Sequence, residues 1–468
     1  MTLPQGAASL GTGDVAIVGA GVVGTAIARA LARYSLDCVL LDEACDVGTG
    51  TSKANTAILH TGFDAKPGSL ESRLVSRGSA LLRSYAEAAG IPVERTGALL
   101  VAWTPEQAAA LPAIASNARR NGYQAVRPLS AGELYAREPR LGPGALGALE
   151  IPDESIICPW TTPLAFATEA VSSGVRLLLG AALTGVVSAG DAYELATTRG
   201  PLRARWVVNA AGLGSDTVDR MFGGDTFTIR PRRGELIVFD KLARPLLRSI
   251  LLPVPTARTK GVLVAPTVYG NVLLGPTAED VPDRAEVATT DSGLRCLLAA
   301  GRRILPGLAE EEVTSTYAGL RAATEHSDYQ IYADAARRYA CAGGIRSTGL
   351  SASMGIAEHV VALLAEAGLA LKPRPGFTGA PPVMPNLGEA GLRPYRDAAR
   401  IAADPAYGQI VCHCERVTRG EIRDALASPV PPADLGGLRR RTRVTNGRCQ
   451  GFYCAAAVSR LLAGAGMT

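Results

Sequence analysis

The sequence predicts an α/β fold, interrupted by an inserted α+β region and followed by a small, mostly helical C-terminal domain. Three observations carry that prediction. Short continuous apolar runs, each followed by glycines and then by a helical pattern, occur near both ends of the first 370 residues. Such runs suit parallel strands covered on both faces. Strand-like stretches separated by turns occupy the middle, and four of the nine cysteines lie beyond a proline-rich stretch near the C-terminus.

The first unit reads as strand, turn, helix, strand. Val15–Val18 is the first apolar run, Gly19, Gly21 and Gly24 follow, and Thr25–Arg33 has helical spacing with Ile27, Ala30 and Leu31 on one face. Cys38–Leu41 is a second buried strand ending in Asp42 and Glu43. A G-x-G-x-x-G turn between strand and helix is the Rossmann-like dinucleotide fingerprint. The first glycine allows the tight turn, the second lets backbone approach a pyrophosphate, and the third allows close helix–strand packing. In a chain with 52 glycines the bare pattern also fits a turn that binds nothing; the flanking strand, helix and acid favour a cofactor. Asp42 is placed to accept ribose hydroxyls, and Glu43 is its neighbouring competitor. The small polar loop Gly50–Asn55 (GTSKAN) suits a long cofactor running past the ribose, which favours FAD over NAD and adds Thr51, Ser52, Lys53 and Asn55 to the expected cofactor site.

Further along, Gly97–Trp103 and Gly234–Asp240 are strand-like. Arg205–Ala211 is another buried strand running into Gly212, and Tyr339–Gly343 precedes the apolar helix Ser351–Ala365. One nucleotide-binding domain is thus assembled from distant segments. We assign 14–90, 206–224 and 331–370 to it, with 91–205 and 225–330 as the mixed substrate domain. Lys372–Pro405, with Pro373, Pro375, Pro381, Pro382, Pro385, Pro394 and Pro405, blocks regular structure. Residues 371–408 therefore read as a linker to a small domain at 409–466.

Composition limits the function classes. The 468 residues are 47% hydrophobic and 19% charged, which excludes a disordered chain. A net charge of +5 is too mild to argue for nucleic acid. No apolar run is long enough to span a membrane, and the N-terminus lacks the basic and apolar stretches of a secretory signal. A cytoplasmic location is expected, with any membrane contact peripheral, at the inner face and through a partner.

Cys412-x-Cys414 and Cys449-x4-Cys454 supply four thiolates at one end of the chain. Such a set holds a [2Fe-2S] cluster; structural zinc is the alternative, but it more often uses C-x2–4-C pairs. His413 reads as packing rather than as a ligand. Glu421–Ala427 and Ala455–Leu462 look helical, and Cys38, Cys45, Cys158, Cys296 and Cys341 read as small core residues.

The stretch Gly50–Asp64 with Lys66-Pro67-Gly68 resembles the FAD-dependent D-amino-acid-oxidase-like superfamily, in its glycerol-3-phosphate and L-2-hydroxyglutarate dehydrogenase branches. Arg95-Thr96-Gly97, Pro231–Glu235, Tyr317–Arg321 and Gly344–Ser353 match in the expected order, and the C-terminal segment is similar to the bacterioferritin-associated-ferredoxin-like [2Fe-2S] domain. The resemblance implies a flavoprotein dehydrogenase oxidising a CH–OH or CH–NH bond. Asp42 where Glu is commoner, Leu236 where Tyr is frequent and Ala322 where Pro often follows the arginine depart from the pattern and bear on the substrate.

Such an enzyme needs a base for the hydroxyl proton, and histidine suits that role. Of the four histidines, His60 lies in the loop resembling the flavin-facing segment, His326 lies shortly after Arg321, and His359 falls inside an apolar helix. His60 also reads as a packed loop residue. Arg321 resembles the superfamily's anchor for the substrate anion, with an ion pair to Glu325 or Asp328 as the plain alternative. Lys53, Arg232 and Arg233 are further cations for a phosphate. Backbone around Gly344, Ser347, Thr348, Gly349 and Leu350, with Ala211 and Gly212, is expected to line the flavin. The basic run Arg439–Arg443 reads as a solvated face or as a docking surface for an acidic redox partner.

The expected activity is FAD-dependent oxidation of an anionic CH–OH substrate, first glycerol 3-phosphate. Electrons would pass through FAD and a [2Fe-2S] cluster to a quinone or partner subunit, in a possible hetero-oligomer. L-2-hydroxyglutarate or another 2-hydroxy acid, an opine or imino acid, and a non-catalytic electron-transfer subunit are the alternatives.

Overall fold

Strand β1 (Thr12–Val18) is followed by helix α1 (Val22–Leu31) and strand β2 (Cys38–Leu41), so the apolar runs and the glycine turn fall where the sequence puts them. The computed structural model describes residues 8–255, 261–389 and 391–466; the first seven residues of the N-terminal stretch read above lie outside these.

Five strands form the parallel centre of an eight-stranded sheet, in the order Arg176–Leu178, β2, β1, Gly200–Asn209 and Tyr339–Gly343. The hairpin Leu183–Ala189 and Ala192–Thr197 continues the sheet antiparallel to the first half of Gly200–Asn209. This corrects one boundary: residues 176–205 belong to the nucleotide-binding sheet and not to the inserted domain. The short strand Arg176–Leu178 pairs parallel with β2, and the helix Thr161–Ser172 packs on α1.

Helices α1, Leu70–Ala89, Thr161–Ser172 and Gly349–Glu366 form a layer on this sheet around one large core. Ser69 caps Leu70–Ala89 by accepting from the Ser72 amide, and Gly90, with φ +66°, ends it in the left-handed conformation. That helix crosses Gly349–Glu366 at two glycines. A Cβ on Gly78 would lie 2.5 Å from the Ser351 carbonyl oxygen, and one on Gly355 2.6 Å from that of Leu74.

The inserted domain is a nine-stranded sheet whose long strand Arg230–Phe239 pairs antiparallel with Val313–Ala323 along nearly its whole length. A three-stranded sheet of Ile58–Leu59, Ser155–Ile157 and Val93–Glu94 lies where the chain passes between the domains.

The C-terminal unit has a hairpin (Ile410–Cys412, Val417–Thr418) and helices Arg419–Leu426, Leu435–Thr442 and Ala455–Gly464 around a small separate core. Thr418 and Glu421 form a reciprocal capping box at its first helix. Among the described residues no helix is long and apolar enough to cross a membrane.

Candidate active site and cluster domain

The carboxyl ends of β1, β2, Gly200–Asn209 and Tyr339–Gly343 share one edge of the sheet, where open α/β sheets bind ligands. The expected cofactor residues fall there. Gly19 has φ +105°, and a Cβ on it would collide with the Ala210 carbonyl; a Cβ on Gly24 would collide with that of Gly19. Gly21 opens α1, whose first turn carries neither a side-chain cap nor an acid, so its amide end stays positive. The Gly349–Glu366 helix begins equally uncapped at the same edge. Glycine backbone, two open helix ends and an acid at the end of β2 fit an FAD.

The structure separates the two acids. Asp42 accepts from the Ala20 amide at 2.5 Å and the Ala44 amide at 2.8 Å, whereas Glu43 is exposed. Burial raises the Asp42 carboxyl against the pull of those amides. Side chains in the following loop build the loop itself: Ser52 Oγ accepts from the Val22 amide at 3.0 Å, Thr51 donates to the Leu320 carbonyl at 2.8 Å, and Asn55 bonds Ser52 and Ala57 backbone. The Ala211 amide is held by Asn209, Gly212 and Gly344 have positive φ, and Ser347 is exposed. The buried Thr348 hydroxyl is engaged by Glu71 and Tyr329. Burial lowers the Lys53 ammonium, with Arg440 adding to it and Asp434 opposing. Lys53 thus has Arg440 and Asp434 of the cluster domain near it.

His60 leaves Ile58–Leu59 and is held on two sides. Its amide donates to Ser351 Oγ at 2.8 Å, and its Nδ1 lies 2.9 Å from Oε2 of the fully buried Glu154. Glu154 also accepts from the Thr61 amide and hydroxyl. A carboxylate on Nδ1 fixes the tautomer with the lone pair on Nε2, the form a proton acceptor needs. Glu154 was absent from the sequence reading because it lies 94 positions away.

Arg321, on Val313–Ala323, has no carboxylate partner among the described residues. Its guanidinium reaches the Thr277 carbonyl at 3.4 Å, and a Cβ on Gly234 would come within 2.6 Å of Nη2, so that glycine makes its room. Burial, then the nearby Arg232, push its pKa down to about 10, which leaves it charged at neutral pH. The alternative ion pairs do not form: Glu325 accepts from the Thr228 amide, and Asp328 accepts from Leu70 and Glu71 at the start of their helix. His326 is exposed and its Nε2 meets the Thr226 carbonyl at 2.9 Å. Arg232 pairs with Asp280, and Arg233 with Glu279 and Glu286.

The four C-terminal cysteines converge in two contacting thiol pairs, Cys412 with Cys454 and Cys414 with Cys449. Amides of Tyr453, Gly451 and Phe452 point at the Cys449 sulfur and lower its thiol pKa. Four thiols gathered in this way fit the four-cysteine ligation of a [2Fe-2S] cluster. His413 is exposed.

The basic run faces inward. Arg441 makes a two-pronged pair with the fully buried Asp46, which Arg440 also bonds at 2.6 Å. Arg443 is buried over the Tyr269 ring at 3.8 Å, beside Trp160, and pairs with Glu415 at 2.9 Å. Arg448 meets Asp240 at 2.6 Å, and Lys241 meets Glu415 at 3.1 Å. These contacts seat the cluster domain on both parts of the flavoprotein body, so the reading of Arg439–Arg443 as a free docking face is corrected.

Comparisons with known proteins agree with this geometry. The FAD dependent oxidoreductase family matches residues 14–363, and the BFD-like [2Fe-2S] binding domain matches residues 410–464. A glycerol 3-phosphate dehydrogenase of Caloramator mitchellensis is 34% identical over 96% of this chain and 94% of its own length. The human mitochondrial L-2-hydroxyglutarate dehydrogenase is 30% identical over 58% of this chain and 62% of its own. Among solved structures, the L-α-glycerophosphate oxidase from Mycoplasma pneumoniae with FAD bound superposes with a TM-score of 0.75 at 27% identity, covering 80% of this chain and 99% of that one.

Proposed function

The chain belongs to the FAD dependent oxidoreductase family and ends in a BFD-like [2Fe-2S] binding domain, and from that premise we propose that it oxidises glycerol 3-phosphate and passes the electrons to an acceptor outside the chain. The observation that carries this reading is the 34% identity to a glycerol 3-phosphate dehydrogenase along almost the full length of both chains, cluster domain included.

Bound FAD supplies the hydride acceptor, and the cluster supplies a one-electron carrier. The chain's own residues do the rest. Arg321 holds the substrate anion through its unpaired guanidinium. His60 takes the hydroxyl proton on Nε2 as the carbinol carbon becomes a ketone, and Glu154 stabilises the imidazolium that results. Asp42 receives the ribose, and the open ends of α1 and Gly349–Glu366 receive negative charge.

One observation favours a carboxylate substrate such as L-2-hydroxyglutarate. A phosphate ester calls for several cations, yet Arg232 and Arg233 are already paired with carboxylates; Arg258 and Lys260 lie outside the described residues. An anaerobic visible spectrum decides. Bleaching of the flavin and cluster bands by sn-glycerol 3-phosphate supports the proposal. Bleaching by L-2-hydroxyglutarate alone replaces the substrate and keeps the cofactors.

A further inference from the structure

We propose that the exposed aromatic pair Phe452–Tyr453, in the turn between the last two cluster cysteines, is the docking point for an acidic-faced protein electron acceptor. The inference rests on the reading of the C-terminal domain as a [2Fe-2S] carrier.

Phe452 and Tyr453 are 83% and 76% exposed, and their rings meet edge-on at 5.1 Å. Neighbouring exposed aromatics of this kind mark interaction sites more often than free surface. The turn that presents them is built. The Phe452 amide donates to the Cys449 carbonyl at 2.9 Å, the Cys454 and Ala455 amides donate to the Gly451 carbonyl, and Gly451 itself is buried with φ +89°. The helix that follows turns Ala455, Ala456, Ser459 and Ala463 outward, and Arg460 is the large exposed side chain among its described residues.

Charge selects the partner. No Asp or Glu follows Asp434 in the sequence, and the acid beside the first cysteine pair, Glu415, is buried against Arg443 and Lys241. Among the described residues, unpaired exposed charge on the cluster-bearing segments is cationic: Arg416, Arg419 and Arg460, Arg448 being paired with Asp240. An exposed aromatic pair on a domain whose free exposed charge is cationic complements an acidic protein surface and steers its approach. A second copy of this chain would set like charges against each other. A lipid surface would favour large apolar side chains on the outward helix face, where small ones stand. The electron balance is simple: each substrate gives two electrons and two protons, the protons go to solvent, and two acceptor molecules take one electron each.

The test uses holoenzyme reduced with dithionite and desalted, so that it does not depend on the substrate. The probes are an acidic blue-copper protein and a basic c-type cytochrome, followed by stopped-flow reduction and by equilibrium binding. The reduction rate of the blue-copper protein should fall ~10-fold between low and high salt, while that of the cytochrome should not fall. The double variant Phe452→Ser/Tyr453→Ser should weaken blue-copper binding ~10-fold, with the visible spectrum and reduction of a small soluble quinone unchanged. If that variant loses the cluster spectrum, Arg460→Glu, two turns along the helix, should still weaken blue-copper binding and its salt dependence. Equal salt responses of the two probes, or variants that bind the blue-copper protein as wild type does, overturn the proposal. So does binding to anionic vesicles that the same substitutions abolish, which would make this a membrane face.

Discussion

At the scale of single residues, the proposed site sets His60, whose Nδ1 meets Glu154, as the base and Arg321, with no carboxylate partner among the described residues, as the cation. His60→Gln keeps a hydrogen-bonding group beside Glu154 but removes the basic nitrogen. It should lower kcat by about 10²–10⁴-fold while flavin content stays at the wild-type level, as steady-state kinetics and the visible spectrum will show. An unaffected kcat would return His60 to the status of a packed loop residue. Arg321→Lys keeps the charge and loses the planar fork, so kcat/KM should drop by about 10–100-fold, with little recovery relative to Arg321→Met. Substrate titrations of the two variants make the comparison. If electrons enter from a partner and not from substrate, both variants will still pass them to the cluster. His60 and Arg321 each lie in a short motif, so the sequence alone nominates them. It does not nominate Glu154, because the contact that gives it meaning is made by folding and leaves no local spacing. The Thr51, Ser52 and Asn55 side chains engage backbone of the loop and of its neighbours, partners that no spacing in the sequence displays.

At the scale of elements, the apolar runs gave β2 and Tyr339–Gly343 their observed limits, and the glycine fingerprint was placed correctly between β1 and α1. The hairpin and the first half of the long strand, residues 183–205, were assigned to the inserted domain. Alternating strands look alike whichever sheet they join, and only pairing with β1 decides it. The helix crossing at Gly78 and Gly355 was also beyond sequence reading, because a mid-helix glycine shows a cost and not its reason. Here the reason is the close approach of the two backbones, which would leave an added Cβ 2.5 or 2.6 Å from a carbonyl oxygen. Gly355→Ala raises intrinsic helix propensity by about 1 kcal/mol, yet the new methyl must displace the Leu74 carbonyl, and overpacking of that kind costs about 1–3 kcal/mol. Packing should win, with a lower melting temperature by calorimetry. The Gly349–Glu366 helix also carries Ser351 to the His60 amide, so the same variant should reduce flavin retention on gel filtration. A rise in melting temperature would show that the helices can separate freely.

At the scale of the whole molecule, the cluster domain is fastened by charge at its edge and by Arg443 over aromatic rings at its centre. Its small core of nine buried hydrophobic residues leaves it dependent on that seat. The proline-rich stretch read as a linker runs along the body, with the Met384 amide on the Ala89 carbonyl and Glu389 paired to Lys241 at 2.6 Å. A sequence can display four near-adjacent charges but not their partners, which is why a run at Arg439–Arg443 suggested an outer face. Asp46 is the most telling of those partners. Burial would raise its carboxyl, but Arg441 and Arg440 outweigh burial and hold it below the usual carboxylate range. A depressed folded-state value means that the stabilisation is complete above the unfolded pKa of about 3.9 and is lost as pH falls through the folded one. Docking should therefore be constant from neutral pH to about pH 5 and weaken only in stronger acid. Asp46→Asn removes the charge at every pH and leaves Arg441 buried without its counter-ion, at a cost of about 3–5 kcal/mol. The expected result is protease cleavage within residues 371–408 at neutral pH, where wild type resists, with the flavin spectrum intact. Wild type should acquire the same sensitivity to an acid-active protease below about pH 4. Equal resistance of variant and wild type at neutral pH would mean that Arg443 and its aromatic seat hold the domain without Asp46.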